Sequence, residues 1–174
     1  MRILITGTTG FVGHKLKASY TDAIAAPSLR NATRDMIMKI VEESEADVVI
    51  HTAAISDIGT CQKDPQSSYF ANVQIPLYLA AACKDRKLIC FSSDQVYSAC
   101  KEEGPYIEEV VKPGNIYAEH KLWMMRRRCC FWCSVPILPK WNCSFRAGSH
   151  LESERSAVQD VILRDVSFGI GFPV

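Results

Sequence analysis

Apolar residues along this chain fall into two spacings. Short continuous runs occur at Ile3-Leu4-Ile5, Val48-Val49-Ile50 and Leu88-Ile89-Cys90-Phe91. Runs of this length predict strands over 2–6, 47–51 and 87–91, buried on both faces. A weaker run over 23–26 is stopped by Pro27. Between the runs the spacing turns helical. A helix is predicted over 10–20, and another carries Met36, Ile37, Ile40 and Val41 on one face after a cap at Asn31 or Thr33. A third is predicted over 67–85, with an apolar middle from Tyr78 to Ala82. A fourth starts near Asn115 and includes Tyr117 to Leu122, beyond a loop with Gly104, Pro105 and Pro113. Strands alternating with helices imply an α/β fold, a parallel sheet covered by helices on both faces.

The pattern breaks after Leu122. All 3 tryptophans (Trp123, Trp132, Trp141) and four of the 8 cysteines (Cys129, Cys130, Cys133, Cys143) lie beyond it. Arg126 to Cys133 follows neither period, Pro136 and Pro139 interrupt the next apolar stretch, and 158–174 has no recognisable strand partner. The organisation expected is an ordinary domain over 1–123 and an atypical segment over 124–174, out of frame or rearranged. The rival is a divergent, shortened end that packs differently.

Composition narrows the class. At 174 residues, one domain is expected. A net charge of +1 gives no electrostatic footprint for nucleic acid or an anionic membrane. With 48% hydrophobic and 22% charged residues, wholesale disorder is excluded. No apolar run approaches the ~20 residues of a membrane span, and the N-terminus lacks a signal-peptide pattern, so a cytoplasmic location is expected. There the cysteines are expected as free thiols. Cys129, Cys130 and Cys133 have Cys-x-x-Cys spacing, but Cys143 and His150 do not supply a second pair, so no metal is expected. Arg126-Arg127-Arg128 reads as a solvated patch.

The candidate chemistry begins where the first strand ends, at Thr6-Gly7-Thr8-Thr9-Gly10-Phe11-Val12-Gly13. Glycine permits a tight turn, lets a pyrophosphate approach the backbone, and lets the helix pack closely on the strand. The helix N-terminus then offers unpaired N–H groups to phosphate. The spacing is G-x-x-G-x-x-G rather than G-x-G-x-x-G, and a bare strand-to-helix turn stays open as a reading.

Tyr117 and Lys121 stand four apart on a predicted helix and so share a face. An ammonium beside a phenol lowers the phenol's pKa, and a phenol so tuned can pass a proton to a carbonyl oxygen. A solvated helical pair is the plain alternative. Ser92-Ser93-Asp94-Gln95-Val96-Tyr97 follows a buried strand, which puts Ser93 at a C-terminal strand end, where α/β sheets bind ligands. Ser93 can then bond the same carbonyl as Tyr117, or the segment is an ordinary turn.

With His51-Thr52-Ala53-Ala54 and Asn72-Val73 between them, these segments occur in an order that resembles the extended short-chain dehydrogenase/reductase family. Within it the chain is similar to the dTDP-4-dehydrorhamnose reductase group, through Ser92 to Tyr97 and Pro113 to Leu122. The resemblance covers about 1–123. It implies a Rossmann-type doubly wound sheet, truncated or aberrant at its C-terminal end. It implies a catalytic Ser93, Tyr117 and Lys121, and a cofactor held by Gly7, Thr9, Gly10, Phe11, Val12, Gly13, Ala53, Ala54, Tyr117 and Lys121. Asn72 reads as a structural or cofactor-proximal residue at the start of its helix, or as a plain helix position. NADP is favoured over NAD, because no acid follows the second strand and Arg30 suits a 2′-phosphate. A solvated loop arginine is the alternative there. The substrate implied is a nucleotide-linked keto sugar, and a homodimer is compatible. Three alternatives stay open: a sugar-nucleotide epimerase or dehydratase, a non-catalytic dinucleotide-binding subunit resembling the regulatory subunit of methionine adenosyltransferase, and a chain without turnover because its substrate-gripping region is missing.

Translation of the source DNA across codon 124 in its other two frames tests the break. The out-of-frame reading expects one frame to continue with ordinary strand and helix periods; two frames without them support a divergent end.

Overall fold

Each apolar run becomes a strand of one parallel sheet in the computed structural model, which describes residues 1–101, 106 and 110–126. The strands are β1 (Ile3–Thr6), β2 (Ile24–Ala25), β3 (Val48–His51) and β4 (Lys87–Cys90), in the order β2-β1-β3-β4. In register, Leu4 stands beside Ile24 and Val49, and Val49 beside Leu88. The expectations for Gly104, Pro105, Cys129, Cys130, Cys133, Cys143, His150 and the rest of 127–174 lie outside the described residues.

Because strand side chains alternate between faces, each run divides between two cores. Leu4, Val49, Leu88 and Cys90 face one way. They meet Ile37 and Val41 of α2 (Arg34–Ser44), Ile75 and Leu79 of α5 (Ile75–Ala82), and Met124 of α6 (Ile116–Arg126). Ile3, Ile5, Val48, Ile50 and Ile89 face the other way, against Leu16 of α1 (Phe11–Ser19). The sheet is thus doubly wound.

Local chemistry sets the helix ends. Thr33 is the cap of α2, its hydroxyl accepting from the Met36 N–H at 3.3 Å. The Asn115 carboxamide oxygen accepts from the Ala118 N–H at 2.9 Å at the start of α6. That helix runs to Arg126, and its Met124 is fully buried, so the regular fold continues three residues past 123.

The long helix expected over 67–85 is broken into three pieces. These are α4 (Pro65–Tyr69), a π-helical turn over Phe70–Gln74, and α5. Pro76, near the start of α5, has no N–H and its ring clashes with the carbonyl four residues back, which the wider π turn relieves. A short helix α3 (Ile58–Lys63) was not expected, since its six residues are too few to show a period. Its signal is Asp57, whose carboxylate accepts from the Thr60 N–H at 2.7 Å. Cys61, Cys83, Cys90 and Cys100 are free thiols. Among the described residues no helix is long and apolar enough to cross a membrane, and no cluster of His, Cys, Asp or Glu is arranged to hold a metal ion.

Ile37 and its neighbour Met36 give a contrast within one helix: Ile37 is fully buried and Met36 is 52% exposed. Ile37→Ala should cost roughly 2–5 kcal/mol in urea unfolding, and Met36→Ala no more than about 0.5 kcal/mol.

Candidate functional site

The glycine turn lies where the strand order reverses, between β1 and β3, at their C-terminal ends. Gly7 has a left-handed φ of +72°, and a Cβ there would stand 2.6 Å from the Ala53 nitrogen. A Cβ on Gly13 would stand 2.2 Å from the Gly7 carbonyl oxygen. Both positions therefore need glycine for the chain's own packing. Gly10 differs. A Cβ there would meet only the Gly7 oxygen, at 3.3 Å, so the protein alone scarcely requires glycine at this position. Gly10 is the N-cap of α1, no side chain among the described residues caps that helix, and no acidic residue lies in its first turn. The first N–H groups of α1 are left for an anion. Thr9, Gly10 and Phe11 are exposed and Val12 is half-buried, so the turn faces outward.

Thr52 ties the turn to β3. Its hydroxyl donates to the Thr6 carbonyl at 2.7 Å and approaches the Gly7 carbonyl at 3.3 Å. Sequence reasoning passed over this residue, although it directly precedes Ala53 and Ala54. Those two alanines follow β3 beside the turn, Ala53 half-buried and Ala54 exposed. Asn72 is not at the start of a helix as expected. It sits inside the π turn, fully buried, and brackets Ile55: its oxygen accepts from the Ile55 N–H at 3.1 Å and its amide donates to the Ile55 carbonyl at 2.9 Å. Arg30 is exposed in the loop after β2.

Ser93, Tyr117 and Lys121 come together over the end of β4. Lys121 is buried, donates to the Phe91 carbonyl at 2.8 Å, and lies 5.8 Å from the centre of the Tyr117 ring. The Ser93 hydroxyl donates to the Asp94 carboxylate and accepts from the Gln95 N–H, each at 3.2 Å, and it is near enough to the Tyr117 phenol to lower its pKa. The tuning expected from Lys121 is not what the structure shows. Burial pushes the Tyr117 phenol above its usual range, the nearby Ser93 hydroxyl opposes this, and Cys61 and Asp94 add to the rise. The Lys121 ammonium instead bonds the Phe91 carbonyl just past the end of β4.

His51 closes β3 under this group. Its Nδ1 is 2.7 Å from the Thr6 hydroxyl, and its Nε2 is buried without a partner among the described residues. Burial, and then the Lys121 charge, lower its pKa to about 3, so the imidazole is neutral.

A doubly wound parallel sheet with a glycine turn at its switch point, and Ser, Tyr and Lys over an adjacent strand end, defines a Rossmann-type domain of the extended short-chain dehydrogenase/reductase kind. The family model described as RmlD substrate binding domain matches residues 1–126, and the chain belongs to that family. It is 32% identical over 130 residues to a dTDP-4-dehydrorhamnose reductase of Mycolicibacterium smegmatis, covering 70% of this chain and 39% of the relative. A crystal structure of a dTDP-4-dehydrorhamnose reductase from Clostridium acetobutylicum superposes with a TM-score of 0.65 at 25% identity, over 72% of this chain and 48% of that one. The structure of RMD from Pseudomonas aeruginosa complexed with NADPH superposes with a TM-score of 0.60 at 27% identity, over 72% of this chain and 46% of that one. The chain thus spans less than half the length of these relatives.

His51 sets an acid limit on stability. Its folded pKa lies below the unfolded value, so its contribution is complete above pH ~6.5 and is lost as pH falls toward 3. Urea unfolding should lose about 3 kcal/mol between pH 7 and pH 4 on this account, and His51→Asn should remove most of that slope.

Proposed function

We propose that residues 1–123 form the cofactor-binding and proton-donating half of an NAD(P)-dependent reductase of a nucleotide-linked keto sugar, similar to dTDP-4-dehydrorhamnose reductase. The observation that carries this reading is the uncapped glycine turn at the sheet's switch point, on the same edge as Ser93, Tyr117 and Lys121. The residues present fit a dinucleotide. Gly10 leaves open the space a Cβ would fill, and the α1 N-terminus carries no competing acid.

In this reading Gly7, Thr9, Gly10, Phe11, Val12 and Gly13 hold the pyrophosphate, and Ala53 and Ala54 line the adenosine side. Tyr117 and Lys121 reach the ribose next to the nicotinamide. Arg30, with no acid near it in its loop, favours the 2′-phosphate of NADP. When bound, the reduced nicotinamide supplies a hydride. The chain's own residues manage the proton. Tyr117, a phenol whose pKa burial raises, donates its proton to the carbonyl oxygen as it becomes an alcohol. Ser93, beside that phenol, orients the carbonyl, and Lys121 offsets the charge of the phenolate left behind. The grip on the nucleotide sugar lies outside residues 1–123, and 124–174 are the atypical segment.

Fluorescence titration tests the reading without the substrate. NADPH should give a saturable signal, and Arg30→Ala should weaken NADPH roughly tenfold while leaving NADH unchanged. Tyr117→Phe should keep the NADPH affinity and lower turnover of a dTDP-linked 4-keto sugar by about 10²–10⁴. No saturable signal with either coenzyme contradicts the proposal.

A further inference from the structure

Behind the Tyr117 and Lys121 face of α6 runs a buried chain of hydrogen bonds that the chemistry above does not use. His120, one residue before Lys121 and three after Tyr117, is buried with its Nδ1 2.8 Å from the Ser68 hydroxyl of α4. Ser68 is fully buried and also receives the Asn72 amide at 3.2 Å. Asn72 in turn brackets Ile55 through both groups of that residue's backbone. The chain therefore starts on the helix that carries the proton donor and ends on the loop just past Ala53 and Ala54.

The direction of the Asn72 to Ser68 bond follows from the donors available. The Asn72 amide nitrogen can only donate, so the Ser68 oxygen accepts from it. The Ser68 hydroxyl and His120 Nδ1 share the second bond, in which the hydroxyl donates in one neutral imidazole tautomer and accepts in the other. The ring is held in place from its sides. Tyr69 meets it edge-on at 5.6 Å between centroids, and Trp123 lies 5.4 Å away. Each contact joins separate elements: α6 to α4, α4 to the π turn, and the π turn to the loop after β3. The π turn itself places the Asn72 side chain between α4 and that loop, an irregularity with an evident use.

We propose that Ser68 and His120 are positioning residues, which act through Asn72 to lock helix α6 to the 53–55 loop so that the two walls of the site keep one spacing. The proposal deepens the dinucleotide reading above and rests on it for what the spacing serves. A cofactor lying across both walls needs them fixed together, because an ångström of drift between reacting groups is costly in rate. His120 and Ser68 touch neither wall's ligand-facing atoms and act only through this linkage.

Amide hydrogen exchange and NADPH titration of the intact chain test it together. In His120→Leu the Ile55 amide should exchange roughly tenfold faster, and NADPH should bind roughly tenfold more weakly, while Ile50 in the centre of β3 keeps its protection. His120→Asn places a carboxamide oxygen near the Nδ1 position and should restore both to within about twofold. Ser68→Ala should match His120→Leu, and the double variant should be no worse than either single one. If Ile50 also loses protection in His120→Leu, global unfolding is the cause, and Ser68→Ala against His120→Asn carries the comparison. A protected Ile55 in Ser68→Ala, or a His120→Asn variant no better than His120→Leu, overturns the proposal. A wild-type chain that binds no NADPH, while Ile55 still responds to Ser68→Ala, removes the dinucleotide reading and leaves the linkage standing.

Discussion

The close approach of three backbone segments, at Gly7, Gly13 and Thr52 to Ala53, is the constraint on which the rest of the structure depends. A Cβ would stand 2.6 Å from the Ala53 nitrogen at position 7 and 2.2 Å from the Gly7 oxygen at position 13. No side chain fits at either place, so α1 begins pressed against the ends of β1 and β3. The Thr52 hydroxyl, 2.7 Å from the Thr6 carbonyl, holds the third segment to the first. The outcome is a helix start at the sheet edge whose first N–H groups have no side-chain cap among the described residues.

The electrostatics of that edge follow from its burial. Three polar groups, His51, Tyr117 and Lys121, lie within a largely desolvated region. Two adjacent cations there would be costly, and the structure has one: Lys121 bonds the Phe91 carbonyl, while burial and the lysine's charge keep His51 neutral. The same burial pushes the Tyr117 phenol above its usual range.

Much of this was legible in the residues. Ile3-Leu4-Ile5, Val48-Val49-Ile50 and Leu88-Ile89-Cys90 are short apolar runs between helical periods, and such runs have few homes outside a parallel sheet. Gly7, Gly10 and Gly13 declared the turn because glycine's allowed backbone is a local property. Tyr117 and Lys121 share a face through helix spacing alone. What was not legible depended on distance in the chain. Nothing in Ser67 to Asp85 announces that Pro76 widens a turn and sends Asn72 to bracket Ile55, seventeen residues away. Helix α3 was too short to show a period, and the bond between Ser68 and His120 spans 52 positions. The sign of the Tyr117 shift also needed the fold, because pair spacing shows the lysine but not the desolvation of the ring.

Amide chemical-shift mapping during an NADPH titration tests the central claim most directly. If the glycine turn holds the pyrophosphate in line with the phenol, the largest changes fall on Gly10, Phe11, Val12 and Gly13, with a second group at Tyr117 to Lys121. Binding that leaves those amides unmoved and shifts residues elsewhere contradicts the account.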